Sequence, residues 1–193
     1  MVMKQPEVTE RTRKRMCRAF WHLYAKQPLD RITVKQIAEL AGYNRATFYQ
    51  YYSGVRDLLD QEEDRLIAER HQAMNDRIID MRGTDDIRIN LTLFLEQTRK
   101  DAPYIALLIG PNGDRKFIDK LRDVASPLIR PIIAGNDSDN TQPTGKTGEY
   151  LTEFYLGGML TMMRAWLADP DPMPLAQMVE LVIDTFMPGV TAE

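Results

Sequence analysis

The side chains best suited to chemistry in this chain lie in one short run, RATFYQYY, from Arg45 to Tyr52. Their types match the edges of DNA base pairs. In a major groove, Arg can hydrogen-bond guanine, Gln can hydrogen-bond adenine, and Thr or Ala can touch the thymine methyl group. Tyr hydroxyls can bind phosphate oxygens. The outward-facing set is expected to be Arg45, Ala46, Thr47, Tyr49, Gln50 and Tyr51.

Two short helices joined by a tight turn would position that run. Residues 33–52 read TVKQIAELAGYNRATFYQYY, in which Thr33 and Asn44 are suitable N-caps and Gly42 is a suitable helix stop. This order predicts a helix-turn-helix. The positions expected to face the core of this module are Val34, Ile37, Ala38, Leu40, Phe48 and Tyr52.

The charges of the chain fall into two blocks of opposite sign. Residues 1–56 hold 11 Lys or Arg and 4 Asp or Glu, which gives +7, whereas residues 57–193 hold 14 and 24, which gives -10. The formal net charge of -3 is therefore a cancellation, and it does not exclude nucleic acid as a partner. A solvated helix face is the alternative explanation for the basic residues of the first helix, which are Arg11, Arg13, Lys14, Arg15 and Arg18.

The run ITVKQIAELAGYNRATFYQYYSGVRDLL closely resembles the DNA-binding signature of the tetracycline-repressor (TetR) family, and the match covers residues 11–59. The resemblance implies an all-α homodimer that binds double-stranded DNA at a pseudo-palindromic operator through its third helix. Tyr49 would contact a phosphate. The full set of DNA-binding residues that it implies is Thr33, Val34, Lys35, Arg45, Ala46, Thr47, Tyr49, Gln50, Tyr51 and Arg56.

Two positions depart from the pattern of the family. Val55 stands where the family usually has a Lys at the start of the fourth helix, so one phosphate contact is lost. Arg56 or the backbone amides of that helix N-terminus would have to replace it. Tyr51 stands where His is common. Both departures leave the operator sequence open.

Helical periodicity continues through the remainder of the chain, so the fold class expected is all-α with about nine helices. We expect a DNA-binding domain over residues 1–56 and an effector-binding and dimerisation domain over residues 57–193. A helix from residue 117 to residue 133 should be kinked or broken by Pro127 and Pro131. Residues 135–148 are expected to form a polar loop.

The second domain should contain any effector site. An aromatic and Met-rich lining would be adaptable and would suit an apolar ligand. Ordinary core packing is the alternative for each of these residues. The candidate lining residues are Phe94, Tyr104, Leu107, Leu108, Phe117, Phe154, Met162 and Met163.

The last two helices are apolar enough to predict a four-helix bundle between two copies of the chain. The pattern YLTEFYLGGMLTMMRAWLADPDPMP also resembles a TetR subgroup that includes regulators of dihydroxyacetone-kinase operons, some of which work through a protein partner. A core within one chain is the alternative to the bundle. The interface residues expected are Tyr155, Gly158, Met159, Trp166, Met178, Val182 and Phe186.

Several kinds of chemistry are not expected. One Cys and two His allow neither a disulfide within the chain nor a Cys-rich zinc site, so no metal or cofactor is predicted. TGKT at residues 144–147 lacks the glycine that a P-loop needs at position 140, where Asn140 stands. No G-x-S-x-G element is present, so an enzyme is not expected. Since no signal peptide or membrane span is visible either, a cytoplasmic location is expected.

These observations favour a DNA-binding transcriptional regulator, a repressor released from its operator by a small molecule. Two other functions stay open at this point. The first is an activator or co-regulator that keeps the DNA-binding head but acts by docking another protein. The second is a helical protein that binds or converts a small molecule and has no role on DNA.

Overall fold

The computed structural model describes residues 6–75, 84–134 and 146–186. Within these residues the chain forms nine α-helices, a short 3-10 helix at Leu29–Arg31 and no strand, which confirms the all-α class. The helices are α1 (Pro6–Tyr24), α2 (Val34–Ala41), α3 (Arg45–Tyr49), α4 (Val55–Asn75), α5 (Thr84–Lys100), α6 (Ala102–Ile109), α7 (Arg115–Ala134), α8 (Lys146–Ala168) and α9 (Leu175–Phe186).

The sequence predicted a kink or a break in the seventh helix, and the structure shows no break. Helix α7 continues through Pro127 and Pro131. A proline removes one backbone donor and bends a helix, but it does not have to end one whose flanking turns are packed. Leu121, Val124 and Ala125, just before the first proline, are all buried. The predicted polar loop lies mostly outside the described residues, and α8 already includes its last three positions.

The chain divides into two compact units, residues 1–65 and 66–193, and the division falls within α4. The charge pattern placed the boundary earlier, after residue 56. The start of α4 belongs to the first unit because it is hydrogen-bonded to α1: Arg13 donates to Gln61, and Cys17 donates to Glu62.

Aromatic residues dominate the core of the first unit. Phe20 lies 5.2 Å from Trp21 and 5.5 Å from Tyr24 between ring centroids. Phe48 of α3 and Leu58 of α4 are fully buried in the same unit. One prediction here was wrong: Leu40 is 52% exposed and does not face α1.

Helix α8 packs on α6 and α7 in the second unit, and α9 packs on α5. On the surface of the α5–α9 contact, the guanidinium of Arg88 donates two hydrogen bonds of 2.9 Å to the carboxylate of Glu180. This contact lowers the pKa of Glu180. In the described residues, no helix combines the length and the hydropathy that a membrane crossing requires.

A fully buried arginine lies in the core of the second unit. Arg70 of α4 donates to the backbone carbonyls of Leu66 and Gln97, and it lies 3.7 Å from the carboxylate of Asp101. Asp101 is the residue between α5 and α6, and it also accepts a hydrogen bond from the Gln97 side chain. Arg70 therefore ties α4 to the junction of α5 and α6.

Replacing Arg70 by Met should lower the free energy of unfolding by about 3–5 kcal/mol, because the buried Asp101 carboxylate loses its cation. Urea titration followed by circular dichroism measures this change. Arg99→Met is the matched control on exposed α5 surface and should stay within about 0.5 kcal/mol of the wild type. Equal stabilities of the two variants would contradict the conclusion that Arg70 neutralises the buried Asp101 carboxylate.

Candidate DNA interface

Three local signals build the helix-turn-helix, and all three were predicted. The hydroxyl of Thr33 accepts the backbone N–H of Gln36 at 3.2 Å, and the Gln36 side chain accepts the Thr33 N–H at 2.8 Å, which forms a capping box at the start of α2. Gly42 ends that helix with φ 76°. The Asn44 side chain then accepts the N–H of Thr47 at 2.8 Å and begins α3.

Helix α3 has only five residues and is too short to be stable alone. Two aromatic side chains hold it: Phe48 is fully buried, and Tyr52 just beyond the helix is 2% exposed, with 5.3 Å between the ring centroids. The guanidinium of Arg13 lies over the Tyr52 ring at 5.6 Å from its centroid. Burial of this pair determines which face of α3 remains outside.

A polar cluster beside Tyr52 connects α1 to α4. Cys17 Sγ lies 3.5 Å from the Tyr52 hydroxyl and donates to Glu62 at 3.2 Å, and Trp21 Nε1 donates to the other oxygen of the same carboxylate at 3.2 Å. Burial and the charge of Glu62 raise the pKa of Cys17 to about 12. Burial also raises the pKa of Tyr52. Cys17 and Tyr52 are therefore both neutral near pH 7, and the role of the cluster is structural because its hydrogen bonds connect α1 to α4.

The structure brings the predicted base-reading residues to one solvent-facing side of α3. Arg45, Ala46, Tyr49 and Gln50 are exposed, and the Tyr49 side chain is 58% exposed. Thr47 and Tyr51 are half-buried. The Thr47 hydroxyl donates to the Asn44 side chain at 3.0 Å, so this threonine supports the cap of α3.

The residues predicted beside the DNA backbone lie at the start of α2. Lys35 is exposed, with its Nζ 3.8 Å from the carboxylate of Glu39, and Val34 is half-buried. Thr33 is exposed although its hydroxyl serves the capping box. Ion pairs on such exposed surface contribute little, so Lys35 can turn to a phosphate at small cost.

Arg56 was one of two predicted substitutes for the lysine missing at Val55, the other being the backbone amides at the start of α4. Its guanidinium lies instead along its own helix, where it hydrogen-bonds Asp60 at 2.8 Å and approaches Glu63 at 3.9 Å. Asp57, one residue on, accepts the N–H of Ser53 at 2.7 Å, and this bond lowers the pKa of the carboxyl. A phosphate contact from Arg56 would require it to leave Asp60.

Two family models cover most of the chain. Residues 18–61 match the model described as bacterial regulatory proteins, tetR family. Residues 85–187, more than half of the chain, match the model described as transcriptional regulator C-terminal region. The chain belongs to the TetR family of transcriptional regulators. This confirms the resemblance of residues 11–59 and the DNA-binding nature of the helix-turn-helix.

Solved TetR-type structures share the fold. NalD of Pseudomonas aeruginosa, the secondary repressor of the MexAB-OprM multidrug efflux pump, aligns with a TM-score of 0.67 and 18% identity over 97% of this chain and 99% of its own. FadR of Thermus thermophilus, a repressor solved with lauroyl-CoA, aligns with a TM-score of 0.58 and 17% identity over 94% of this chain and 96% of its own.

The dihydroxyacetone kinase operon activator DhaS aligns with a TM-score of 0.57 and 16% identity over 93% of this chain and 96% of its own. This neighbour bears out the similarity predicted from the C-terminal pattern. At these identities the likeness is one of fold. None of the curated proteins compared by sequence matches the chain.

The second unit of this TetR protein contains a small apolar cavity between α5, α7 and α8. Phe94 and Met163, two of the predicted lining residues, do line it. The space measures about 10 Å³, room for about one water molecule. The other lining residues are Ile118, Leu121, Arg122, Ala125, Leu156, Met159 and Leu160.

The remaining predicted ligand residues of this TetR protein do not line that cavity. Leu108 and Phe117 are fully buried in the core, which was the alternative reading of the pattern. Tyr104, Leu107 and Met162 are half-buried. Phe154 is 70% exposed and so cannot line an interior site, which corrects that expectation. Within the described residues, no group of three or more His, Cys, Asp or Glu side chains could hold a metal ion.

Four of the residues expected at a dimer interface are already buried within one TetR chain, as the alternative of an intrachain core requires. They are Met159, Trp166, Met178 and Val182. The Trp166 indole donates to the Met173 carbonyl at 2.7 Å. Tyr155 and Gly158 are half-buried, and the side chain of Phe186 lies outside the described residues.

The surface of α8 exposes other residues instead. Tyr150 and Phe154 are 73% and 70% exposed, and a Cβ added at Gly157 would meet no atom within 4 Å. These three positions, spaced four and three residues apart, share one face of the helix. Exposed polar residues such as Glu149, Glu153 and Arg164 do mark the outer side of α8. Sequence periodicity missed this face because its aromatic residues look like core residues by type.

Replacing Gly42 by Ala should destabilise the chain by about 1–2 kcal/mol, because a left-handed backbone strains a residue that has a Cβ. The new methyl would also lie 2.9 Å from Arg15 Nη2, which must move. Gly42→Asn is the matched control and should lose less, since Asn tolerates this conformation. Urea titration measures both, and a stability order of Ala above Asn would contradict the explanation.

Proposed function

We propose that this protein is a dimeric transcriptional repressor that binds a pseudo-palindromic operator through α3. The observation that carries the proposal is the outward face of α3, on which Arg45, Tyr49 and Gln50 are exposed. The Asn44 cap and the buried rings of Phe48 and Tyr52 hold this helix in place. Residues 1–56 would bind DNA and residues 57–193 would control that binding. Because the operator lies on the chromosome, we assign the protein to the cytoplasm.

The geometry of α3 suits a major groove. Arg45 is the first residue of the helix, and helix N-terminal residues are the ones that reach base edges in this motif. Gln50 follows at the other end of α3, and Tyr49 lies beside it for a phosphate. A five-residue helix reads only a few base pairs. Two copies, on half-sites about one helical turn apart, would supply the remaining affinity.

The exposed face of α8 supports a homodimer. Two aromatic side chains lie next to a glycine that leaves open space, so a second copy could pack a ring against the backbone at Gly157. Leu181 of α9 is also 40% exposed. The interface proposed from the structure therefore uses Tyr150, Phe154, Gly157 and Leu181. Tyr155 and Gly158 would stay at its margin.

Replacing Phe154 by Glu should shift the protein from dimer to monomer, because a carboxylate would be buried against an apolar partner. Sedimentation at micromolar concentration measures the ratio of the two species. Ile89→Glu, on α5 and 40% exposed, is the matched control and should leave the dimer intact. A dimer unaffected by Phe154→Glu would overturn the proposed interface.

Release by an apolar small molecule is the mode of control that we propose. The apolar space between α5, α7 and α8 supports it, and Met159 and Met163 on its wall can change rotamer as a ligand enters. The space must open well beyond its present 10 Å³ to hold a drug-sized ligand. Such coupling between ligand and DNA typically amounts to about 1–3 kcal/mol. FadR of Thermus thermophilus, which shares the fold, was solved with lauroyl-CoA.

A second function is favoured by the same packed interior. An activator or co-regulator that docks another protein needs no closed pocket, and DhaS, which shares the fold, is described as an activator. Thermal shifts against a panel of fatty acids, acyl-CoA thioesters and hydrophobic drugs separate the two. A compound that raises the melting temperature and lowers operator affinity supports release by a ligand. Stabilisation by none of them supports the docking function.

The operator can be selected from a library of random duplexes by repeated rounds of binding. Arg45→Ala should then weaken the selected duplex by about 1–3 kcal/mol, or about 5- to 150-fold, and relax the preference for one base. Tyr49→Phe should weaken selected and scrambled duplexes alike, because it removes a phosphate contact. Fluorescence anisotropy measures both effects.

Arg115→Ala is the matched control for Arg45→Ala, because Arg115 is an exposed arginine of the second unit. It should leave the affinity for both duplexes unchanged. An unchanged affinity after combined Arg45→Ala and Tyr49→Ala would overturn the assignment of α3. Failure of the wild type to enrich any sequence would overturn the proposed function as a whole.

A further inference from the structure

Four basic residues form a stripe along the outside of α1. Arg11, Lys14, Arg15 and Arg18 are spaced i, i+3, i+4 and i+7, which places them on one face of the helix. All four are exposed, whereas Met16 and Phe20 on the opposite face are fully buried. We call this set the α1 stripe.

The α1 stripe meets the helix-turn-helix at its turn. The Arg15 guanidinium lies over the Tyr43 ring at 5.2 Å from its centroid, and its Nη2 is 2.9 Å from the point where a side chain at Gly42 would begin. Tyr43 immediately precedes the Asn44 cap of α3. The stripe is therefore continuous with the surface that carries the recognition helix.

The α1 stripe is not needed to hold the first unit together. Arg13, on another face of α1, is the basic residue that serves the fold, through Gln61 and the Tyr52 ring. Within the stripe, Lys14 pairs with Glu10 at 3.3 Å on exposed surface, with side chains 67% and 61% exposed. An ion pair of this kind contributes little and exchanges readily for another anion. Since Arg15 also contacts the Tyr43 ring, Arg11, Lys14 and Arg18 are the cations most available to a ligand outside the chain.

We propose that the α1 stripe binds the phosphate backbone of the duplex beside the half-site that α3 reads. This inference rests on the DNA binding proposed above and extends it to a second element. Arg11 and Arg18 are seven residues apart, about 10 Å along the helix. Phosphates of one strand recur about every 3.4 Å of duplex axis, so the stripe spans about three of them. Guanidinium groups pair bidentately with phosphate oxygens, which suits a stripe rich in Arg.

The salt dependence of binding tests the proposal, using the selected operator duplex and a scrambled duplex of equal length. Each phosphate contact lowers the slope of log affinity against log salt by about 0.9. Because the proposed dimer brings two stripes to the operator, Arg11→Gln with Arg18→Gln removes four contacts and should make the slope shallower by about 3.6. Between about 50 and about 200 mM salt, the wild type should lose about 150-fold more affinity than the variant. The ratio of operator to scrambled affinity should stay the same.

The matched control is Arg99→Gln with Lys100→Gln, which removes the same charge from exposed surface of α5. It should keep the wild-type slope, and circular dichroism should give all three proteins the same melting temperature. Equal slopes for the stripe variant and the wild type would overturn the proposal, and would leave the stripe to some other anionic partner. An equal loss of slope in the control would also overturn it, since the effect would then follow net charge alone.

The failure of this proposal can be distinguished from failure of the proposed function. Arg45→Ala should reduce the ratio of operator to scrambled affinity. It should not alter the change that Arg11→Gln with Arg18→Gln causes in the slope of log affinity against log salt. If the wild type selects an operator and the stripe variant keeps its slope, only the stripe assignment fails. If the wild type binds neither duplex, the repressor function fails and the stripe assignment fails with it.

Discussion

Burial of Phe48 and Tyr52 in the core of the first unit is the constraint on which the DNA-binding unit depends. A helix of five residues cannot form alone, because nucleation fixes several backbone angles before the first hydrogen bond repays the entropy. Its caps satisfy its first amides, and the two buried rings choose its orientation. Once those rings lie inside, Arg45, Tyr49 and Gln50 have to point outward. The surface that we propose to read DNA is thus a consequence of the packing beneath it.

Polar contacts then connect this unit to the helix that leads out of it. The Glu62 carboxylate accepts hydrogen bonds from Cys17 and Trp21 of α1, so the start of α4 is fastened beside the Tyr52 ring. Further along α4, Arg70 forms an ion pair with Asp101 at the junction of α5 and α6. One continuous helix is therefore anchored at two places by buried or half-buried polar groups. Buried polar contacts of this kind are costly to break singly, and they make each anchor specific.

Charge separates the surfaces of the protein as clearly as packing separates its units. The basic residues of the first 56 positions surround the helix-turn-helix, and the acidic excess lies in the remaining chain. A duplex would be attracted to the first surface and repelled by the second. The acidic overall composition restricts where DNA can dock without opposing it. The same division supports the proposal that the α1 stripe acts together with α3 on DNA.

Local signals determined much of the architecture. The capping residues Thr33 and Asn44 and the stop at Gly42 could all be predicted, because each depends on neighbours within four residues. The family followed from the same short stretch. The outward face of α3 was also predictable, since two large aromatic residues at helical spacing leave only one side free.

Only the tertiary structure decided which apolar residues of the second unit are core and which are surface. Phe154 and Met163 look alike in sequence, yet one is 70% exposed and the other is 4% exposed. Polar residues are exposed along one side of their helix, from Glu149 and Glu153 to Arg164, yet apolar type alone does not reveal that Phe154 lies on that side. The direction of Arg56 was equally hidden, because Asp60 and Glu63 compete for it along the helix. Sequence therefore determined the elements and the family, whereas contacts between distant residues decided the cavity, the free face of α8 and the partners of the charged side chains.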